Sequence, residues 1–158
     1  MTKRLSRILI AVGICMILGS LSGVSTSTSV NTWFTTLEKP FFNPPNWVFG
    51  PVWTILYIMM GIAAGRVWAL GTETAGVKKA LVLFTAQLLL NFLWSLLFFG
   101  MKSIGVALID IVLMWIVIVL TMHAFKPLDK MAYRLMWPYL IWVSFATALN
   151  VGILYLNM

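Results

Sequence analysis

Charged residues are scarce in this chain of 158 residues, in which Asp, Glu, Lys and Arg together make up 9%. Soluble domains carry about 25%, so this chain has too few charges to cover a water-exposed surface, and a soluble enzyme is excluded. Cys15 is the only cysteine and His123 the only histidine. An intrachain disulfide is therefore excluded, and we expect no metal site.

Apolar residues fill most of the chain: 61% are hydrophobic and the mean hydropathy is +0.98. A bilayer-spanning helix needs about 20 mostly apolar residues. Five windows meet that length, at residues 8–25, 47–70, 80–99, 103–125 and 132–156. They predict a single all-α integral membrane domain over residues 1–158, a five-transmembrane-helix bundle. An outer loop rich in proline and aromatic residues, at 26–46, is expected to act as a lid.

Basic residues outnumber acidic ones by eleven to four, for a net charge of +7. On so apolar a chain this excess favours anionic lipid headgroups, and we expect no nucleic-acid partner. Only Lys39 and Lys102 fall on the side opposite the other nine basic residues. The positive-inside rule therefore predicts a cytoplasmic N-terminus and an outer C-terminus. A cleaved signal peptide is the alternative for the first window, because basic residues precede its apolar core.

The first outer loop is stiffened by prolines at positions 40, 44, 45 and 51, each of which fixes one backbone angle and restricts the preceding residue. Its aromatic residues are typical of side chains at headgroup depth. Composition alone favours an interfacial anchor. The alternative is a lid over the outer mouth of the bundle.

Amide side chains occur inside the predicted spans at Gln87, Asn91 and Asn150. Polar groups in hydrocarbon are costly unless they face the bundle interior, so these residues indicate inward faces. A rise of about 1.5 Å per residue places Trp53, Asn91 and Trp142 in the middle and outer half of the bundle. Gln87, Asn91, Trp94 and Phe98 recur at helical spacing on the third span. Such stripes are typical of plain packing. They also fit a cavity lined by indoles and amides that binds a flat apolar ligand with polar edges.

Asp110 is the only acidic residue deep inside a span. A hairpin centred near Met101 would place Asp110 level with Asn91, where the two can hydrogen-bond if they face each other. An ionisable group inside a membrane suggests proton coupling or ligand gating. The alternative is a structural role as a hydrogen-bond acceptor.

Paired glycines four residues apart occur at Gly19 and Gly23 in the first span and at Gly61 and Gly65 in the second. This spacing lets two helices approach closely. We expect both pairs to pack within the bundle, with dimerisation as the alternative.

Three separated motifs resemble those of one known family. The sequence WFTTLEKPFFNPPNWVFGPVWTILY at residues 33–57 resembles the signature of the tryptophan-rich sensory protein family, also called the translocator protein or peripheral benzodiazepine receptor family. QLLLNFLWS at 87–95 and PYLIWVSFATALN at 138–150 agree with it. The resemblance covers essentially the whole chain.

The resemblance implies a five-helix bundle, often a homodimer, that acts as a membrane translocator or sensor. It implies binding of tetrapyrroles such as protoporphyrin and haem, of sterols in some members, and of benzodiazepine- or isoquinoline-type drugs, with no required cofactor. Light- and oxygen-dependent porphyrin degradation is an alternative, with Trp53 and Trp142 exchanging electrons with the ring. A structural or lipid-binding protein is the other. No nucleophile–base pair is visible, so conventional catalysis is not expected.

The site expected from these motifs lies inside the bundle. The expected ligand-binding residues are Phe34, Phe42, Pro44, Phe49, Trp53, Asn91, Trp94, Trp142, Ala146 and Leu149. Gln87, Asp110 and Asn150 are expected to be structural polar residues. Carboxylates of a bound porphyrin are expected to reach Lys39 at the mouth.

Overall fold

The computed structural model describes all 158 residues, and every regular element is helical. The helices are α1 (Lys3–Val30), α2 (Phe49–Trp68), α3 (Val77–Ser95, continued by a π-helical turn at Leu96–Gly100), α4 (Ile104–Phe125), α5 (Lys130–Leu135) and α6 (Trp137–Leu156), with 3₁₀ turns at Trp33–Thr36 and Asn46–Val48. Five helical stretches are long and apolar enough to cross a membrane, the last of them formed by α5 and α6 together. The predicted all-α, multi-pass integral membrane bundle is confirmed.

The first helix is longer than its predicted window, because α1 continues to Val30 and so includes residues 26–30, which the sequence placed in the loop. Hydroxyl side chains in this stretch bond back to the helix. Thr26 Oγ1 donates to the carbonyl oxygen of Ser22 at 3.3 Å, and Ser27 Oγ donates to that of Val24 at 3.0 Å. A serine or threonine whose hydroxyl bonds to a carbonyl of its own helix can remain helical in apolar surroundings. The loop therefore begins at residue 31.

Basic residues gather at the end of the bundle that carries the N-terminus, called here the basic end. Arg7 donates to the carbonyl oxygen of Trp68 at 2.8 Å, at the end of α2. Arg66, in the last turn of α2, forms an ion pair with Asp129 at 3.1 Å. The carboxylate of Asp129 also accepts from the backbone N–H of Ala132 at 2.8 Å, capping α5. At this end, α2 is thus tied to α1 through Arg7 and to the start of α5 through Arg66 and Asp129.

Asp129 lies in the connection before the last span, outside the hydrocarbon. Burial opposes ionisation of its carboxyl, but the hydrogen bonds from Ala132 and Arg66 and the positive charge of Arg66 outweigh that cost. Together they lower the pKa of Asp129 below its usual value. The carboxyl is therefore ionised at neutral pH.

Helices α1 and α2 are in closest contact near the basic end. A Cβ added to Gly61 would overlap the backbone of Val12, and one added to Gly65 would overlap that of Ile8. The absence of a side chain lets the two backbones touch. Gly23, by contrast, has no atom within 4 Å of an added Cβ. The two helix backbones therefore touch near the basic end, whereas the space beside Gly23 is open.

Residues 31–48, called here the lid loop, cover that other end, which we call the lid end. The side chain of Asn157 pairs with the backbone of Glu38, accepting from its N–H at 3.0 Å and donating to its carbonyl at 2.9 Å. Pro40 packs on Gly152, where an added Cβ would lie 3.1 Å from the ring. The lid loop is thereby fastened to the last turns of α6.

Candidate functional site

A cavity of about 400 Å³ lies beneath the lid loop, between α1, α2, α3 and α6. Ligand pockets occupy roughly 300–1,000 Å³, so this volume suits a small molecule. No lining residue is charged. Because an ionised group is costly to bury without a partner, the cavity favours the uncharged part of a ligand.

Three tryptophans form one wall of the cavity. Trp53 and Trp142 meet edge to face, with ring centroids 6.4 Å apart and planes at 89°. Trp53 also stacks on Tyr57, one turn along α2, at 5.6 Å. Trp94 stacks in the same way on Phe98 of α3 at 5.3 Å. Helical spacing thus builds an aromatic surface from three helices.

The facing wall comes from α1 and consists of small and hydroxyl-bearing residues, with the apolar Met16 and Val30 at its two ends. Its members recur at helical spacing: Met16, Gly19, Ser20, Ser22, Gly23, Thr26, Ser27 and Val30. No residue of this wall was among the expected ligand-binding residues. The signal that marks it is the run of glycine, serine and threonine at intervals of three and four residues, which places them on one face of a helix.

Asn91 lies behind the aromatic wall and does not line the cavity. It accepts from the hydroxyl of Tyr57 at 2.8 Å and donates to the hydroxyl of Tyr139 at 2.8 Å. Tyr139 in turn donates to Met114 Sδ at 3.4 Å. Asn91 is therefore not paired with Asp110, contrary to the hairpin expectation, because its amide is occupied by two tyrosines. Its position makes it a support that orients Tyr57.

Asn150 holds one of the indoles in place. Its side-chain oxygen accepts from Trp94 Nε1 at 3.0 Å, and its amide nitrogen donates to the carbonyl oxygen of Ile104 at 3.0 Å. The residue links α3, α4 and α6. Asn150 thus positions Trp94 while also lining the cavity.

The structure divides the expected ligand-binding residues into two groups. Phe34, Phe49, Trp53, Trp94, Trp142, Ala146 and Leu149 line the cavity. Phe42, Pro44 and Asn91 do not. Phe42 packs on Phe145, with ring centroids 6.1 Å apart, because the lid loop turns that ring away from the cavity.

Gln87 and Asp110 are two further buried polar residues that lie outside the cavity. Both side-chain polar atoms of Gln87 and the Oδ2 atom of Asp110 are buried without a hydrogen-bond partner. Neither residue lines the cavity. They lie within the bundle, on α3 and α4.

Lys39 is held against the lid loop. Its ammonium donates to the carbonyl oxygen of Leu37 at 3.0 Å and lies 4.8 Å from the centre of the Phe34 ring. It does not line the cavity. A ligand carboxylate would reach it only outside the cavity.

Known proteins of one family resemble this chain over most of its length. Residues 11–156 match the model of the TspO/MBR family. The chain is 48% identical to the tryptophan-rich protein TspO of Chlorobaculum tepidum over 157 residues, which is 99% of each protein. It is 45% identical to the tryptophan-rich sensory protein of Cereibacter sphaeroides (79% of this chain, 77% of that protein) and 42% identical to the human translocator protein (75% and 70%). The chain therefore belongs to the TspO/MBR family.

Proposed function

We propose that this protein binds tetrapyrroles such as protoporphyrin and haem in the cavity beneath the lid loop. Membership of the TspO/MBR family supports a role as a membrane translocator or sensor. The observation that supports tetrapyrrole binding is the uncharged, indole-walled cavity of about 400 Å³. Binding of a flat apolar ring there would be coupled to the lid loop above it.

The chemistry of the two walls supports a flat ligand. Aromatic side chains offer large apolar faces and favour stacked or edge-to-face contacts with another ring. The α1 wall opposite carries little bulk, which leaves room for such a ring beside the indoles. Burial of apolar surface contributes roughly 25 cal/mol per Å², so stacking and burial would provide most of the affinity. The propionate groups of a porphyrin would remain at the mouth.

A titration with protoporphyrin, followed by quenching of tryptophan fluorescence in detergent, tests this proposal. The double change Trp53→Ala with Trp142→Ala is expected to weaken binding more than tenfold, because both indoles line the cavity. Trp47→Ala is the matched control, since that ring is 75% exposed and lies outside the cavity. Unchanged affinity in the double variant would contradict the site. No porphyrin binding by the unaltered protein would favour a structural, lipid-binding role.

Light- and oxygen-dependent porphyrin breakdown is a second candidate function. The contact between Trp53 and Trp142 favours it, since both indoles would lie beside an excited ring and close to each other. Illumination of the porphyrin complex in air is expected to yield a new bound chromophore. The Trp53→Phe and Trp142→Phe variants should lose that product. Bleaching at the rate of free porphyrin would contradict this function.

A further inference from the structure

An open hollow on the outside of the bundle, between α2 and α6, is called here the side groove. It has a volume of about 570 Å³. Its lining residues are all uncharged: Val52, Leu56, Pro138, Ile141, Trp142 and Phe145. Because Ile141 is 64% exposed on a helix long and apolar enough to cross a membrane, the groove faces lipid. A hollow of this composition fits a hydrocarbon chain.

Basic residues lead from the basic end to this groove. Arg134 comes four residues before Pro138, and Lys130 four residues before Arg134. Helical spacing continues across the junction of α5 and α6, because the rings of Tyr133 and Trp137 meet edge to face with centroids 6.0 Å apart. Residues four apart lie on one face of a helix. Lys130, Arg134 and Pro138 therefore form one line that ends in the side groove.

The cations of this line have no acidic partner within the protein. Lys130 and Arg134 are both exposed. The nearby carboxylate of Asp129 is already paired with Arg66 and caps α5. Lys126 adds a third positive charge, because its ammonium lies 5.5 Å from the centre of the tyrosine ring of α5. An exposed cluster of three cations thus borders an apolar groove.

The cluster lies at the depth of lipid headgroups. The last span, Lys130–Leu156, has 27 residues and is therefore about 40 Å long, which exceeds the hydrocarbon thickness of about 30 Å. Its first turn thus lies outside the hydrocarbon. Trp137, two turns into the span, is 44% exposed, as is typical of an indole at the membrane interface. Arg134 can extend its guanidinium from this depth to the headgroups along its own apolar stem.

We propose that the side groove and the cations beside it bind one anionic phospholipid from the leaflet at the basic end. An acyl chain lies in the groove against Pro138 and Ile141, and the phosphate pairs with Arg134 and Lys130. Three cations favour a headgroup with a net negative charge over a zwitterionic one, because they repel the ammonium that a zwitterionic headgroup carries. The proposal stands whether or not the cavity beneath the lid loop binds a tetrapyrrole.

Native mass spectra of the detergent-solubilised protein test the headgroup, with dioleoylphosphatidylglycerol as the anionic probe and dioleoylphosphatidylcholine as the zwitterionic one. The unaltered protein is expected to bind the anionic lipid at least about tenfold more tightly. Arg134→Gln and Lys130→Gln should each weaken that binding about fivefold, the scale of one basic side chain beside an anionic headgroup. Equal binding of the two lipids by the unaltered protein would overturn the proposal.

Lys3→Gln is the matched control for charge. Lys3 is exposed and lies at the same end of the bundle, but on α1. The change removes the same charge, yet the affinity for the anionic lipid should stay within about twofold of the unaltered protein. An equal loss in all three variants would show that the basic end attracts anionic lipid as a whole, without a site at α5, and would overturn the proposal.

Ile141→Trp tests the groove itself. The larger ring should take the place of the acyl chain and weaken binding of the anionic lipid at least about fivefold. Val151→Trp is the matched control, because Val151 is also exposed on α6 but lies outside the groove, and its affinity should stay within about twofold. Unchanged binding in Ile141→Trp would overturn the proposal.

The same spectra report whether a second copy of the chain fills the groove instead. In that case the unaltered protein would be dimeric, and Ile141→Trp would yield monomers that bind lipid normally, which would also overturn the proposal. All the altered positions are exposed, so each variant is expected to fold.

Discussion

The two halves of the α1–α2 pair use glycine in opposite ways. Toward the basic end, Gly61 and Gly65 bring the helix backbones into contact. Toward the lid end, Gly23 faces the cavity with no atom within 4 Å of an added Cβ. The missing side chains let the backbones touch in one half and leave open space at Gly23 in the other, although Gly19, one turn before Gly23, lies against the Tyr57 ring of α2. What a glycine does in this bundle therefore depends on what lies opposite it, and the closed half holds the helices while the open half leaves space for a ligand.

The basic end and the surroundings of the cavity also differ in how fully their polar groups are hydrogen-bonded. At the basic end, Arg66 and Asp129 satisfy each other, and Arg7 satisfies the end of α2. Around the cavity, the Oδ1 atom of Asn43 and the indole N–H of Trp142 remain unpaired. The basic end is built for stability, whereas the lid end leaves polar atoms unpaired, which is typical of a binding site.

The largest expected effect comes from breaking the closed half with Gly61→Ala. The added methyl group would meet the backbone of Val12, which cannot move aside as a flexible side chain can. We expect the free energy of unfolding in mixed micelles to fall by about 3 kcal/mol. Gly13→Ala is the control, because nothing lies within 4 Å of its added Cβ. An equal loss in both variants would show that helix flexibility, not contact, is responsible.

A smaller loss of stability is expected from Asn91→Leu, behind the aromatic wall of the cavity. The change leaves the Tyr57 hydroxyl without its acceptor, while Tyr139 keeps its bond to Met114. We expect the free energy of unfolding to fall by about 2 kcal/mol. Thr85→Val, on the exposed face of α3, should change it by less than about 0.5 kcal/mol. A normal unfolding energy for Asn91→Leu would mean that the tyrosine hydroxyls find other partners.

The contribution of the ion pair at the basic end to stability is tested by Asp129→Asn. This change keeps a side-chain oxygen to cap α5 but removes the charge. We expect a loss of about 1 kcal/mol at neutral pH. Because the pKa of Asp129 is lowered in the folded protein, its contribution is present above the ordinary carboxyl pKa of 3.8 and is lost as pH falls below that value. The free energy of unfolding of the unaltered protein should therefore exceed that of the variant at pH 6, and this difference should shrink as the pH approaches 3. A constant difference across that range would contradict the pKa shift.

The smallest expected effect on stability concerns the fastening of the open half. Asn157→Ala removes both hydrogen bonds to the backbone of Glu38. Hydrogen exchange at the Glu38 amide should become faster, while the free energy of unfolding changes by less than about 0.5 kcal/mol. Asn31→Ala, at the exposed end of α1, is the control and should leave that amide unaffected. Unchanged exchange in Asn157→Ala would show that the lid loop does not depend on this contact.

Local patterns were enough to predict the helices and much of the aromatic wall. Trp53, Trp94 and Trp142 were expected to line an interior site from their depth and their motifs, and they do. Phe42 and Pro44 were expected there too, but the course of a proline-rich loop depends on where it meets α6. Asn91 was expected in the same site. Its partners, however, are tyrosines from two other helices, which no spacing within its own span reveals.

The amino-acid sequence by itself determined that five apolar segments cross the membrane and that basic residues collect on one side. Hydropathy and charge are properties of consecutive residues, so they can be read without knowing what packs against them. Only the tertiary structure decided that the hydroxyl face of α1 opposes the indoles and that Asn43 Oδ1 stays unpaired. Those features depend on how each helix is rotated about its axis and how deeply the lid loop folds inward, and both are set by contacts between segments far apart in the chain.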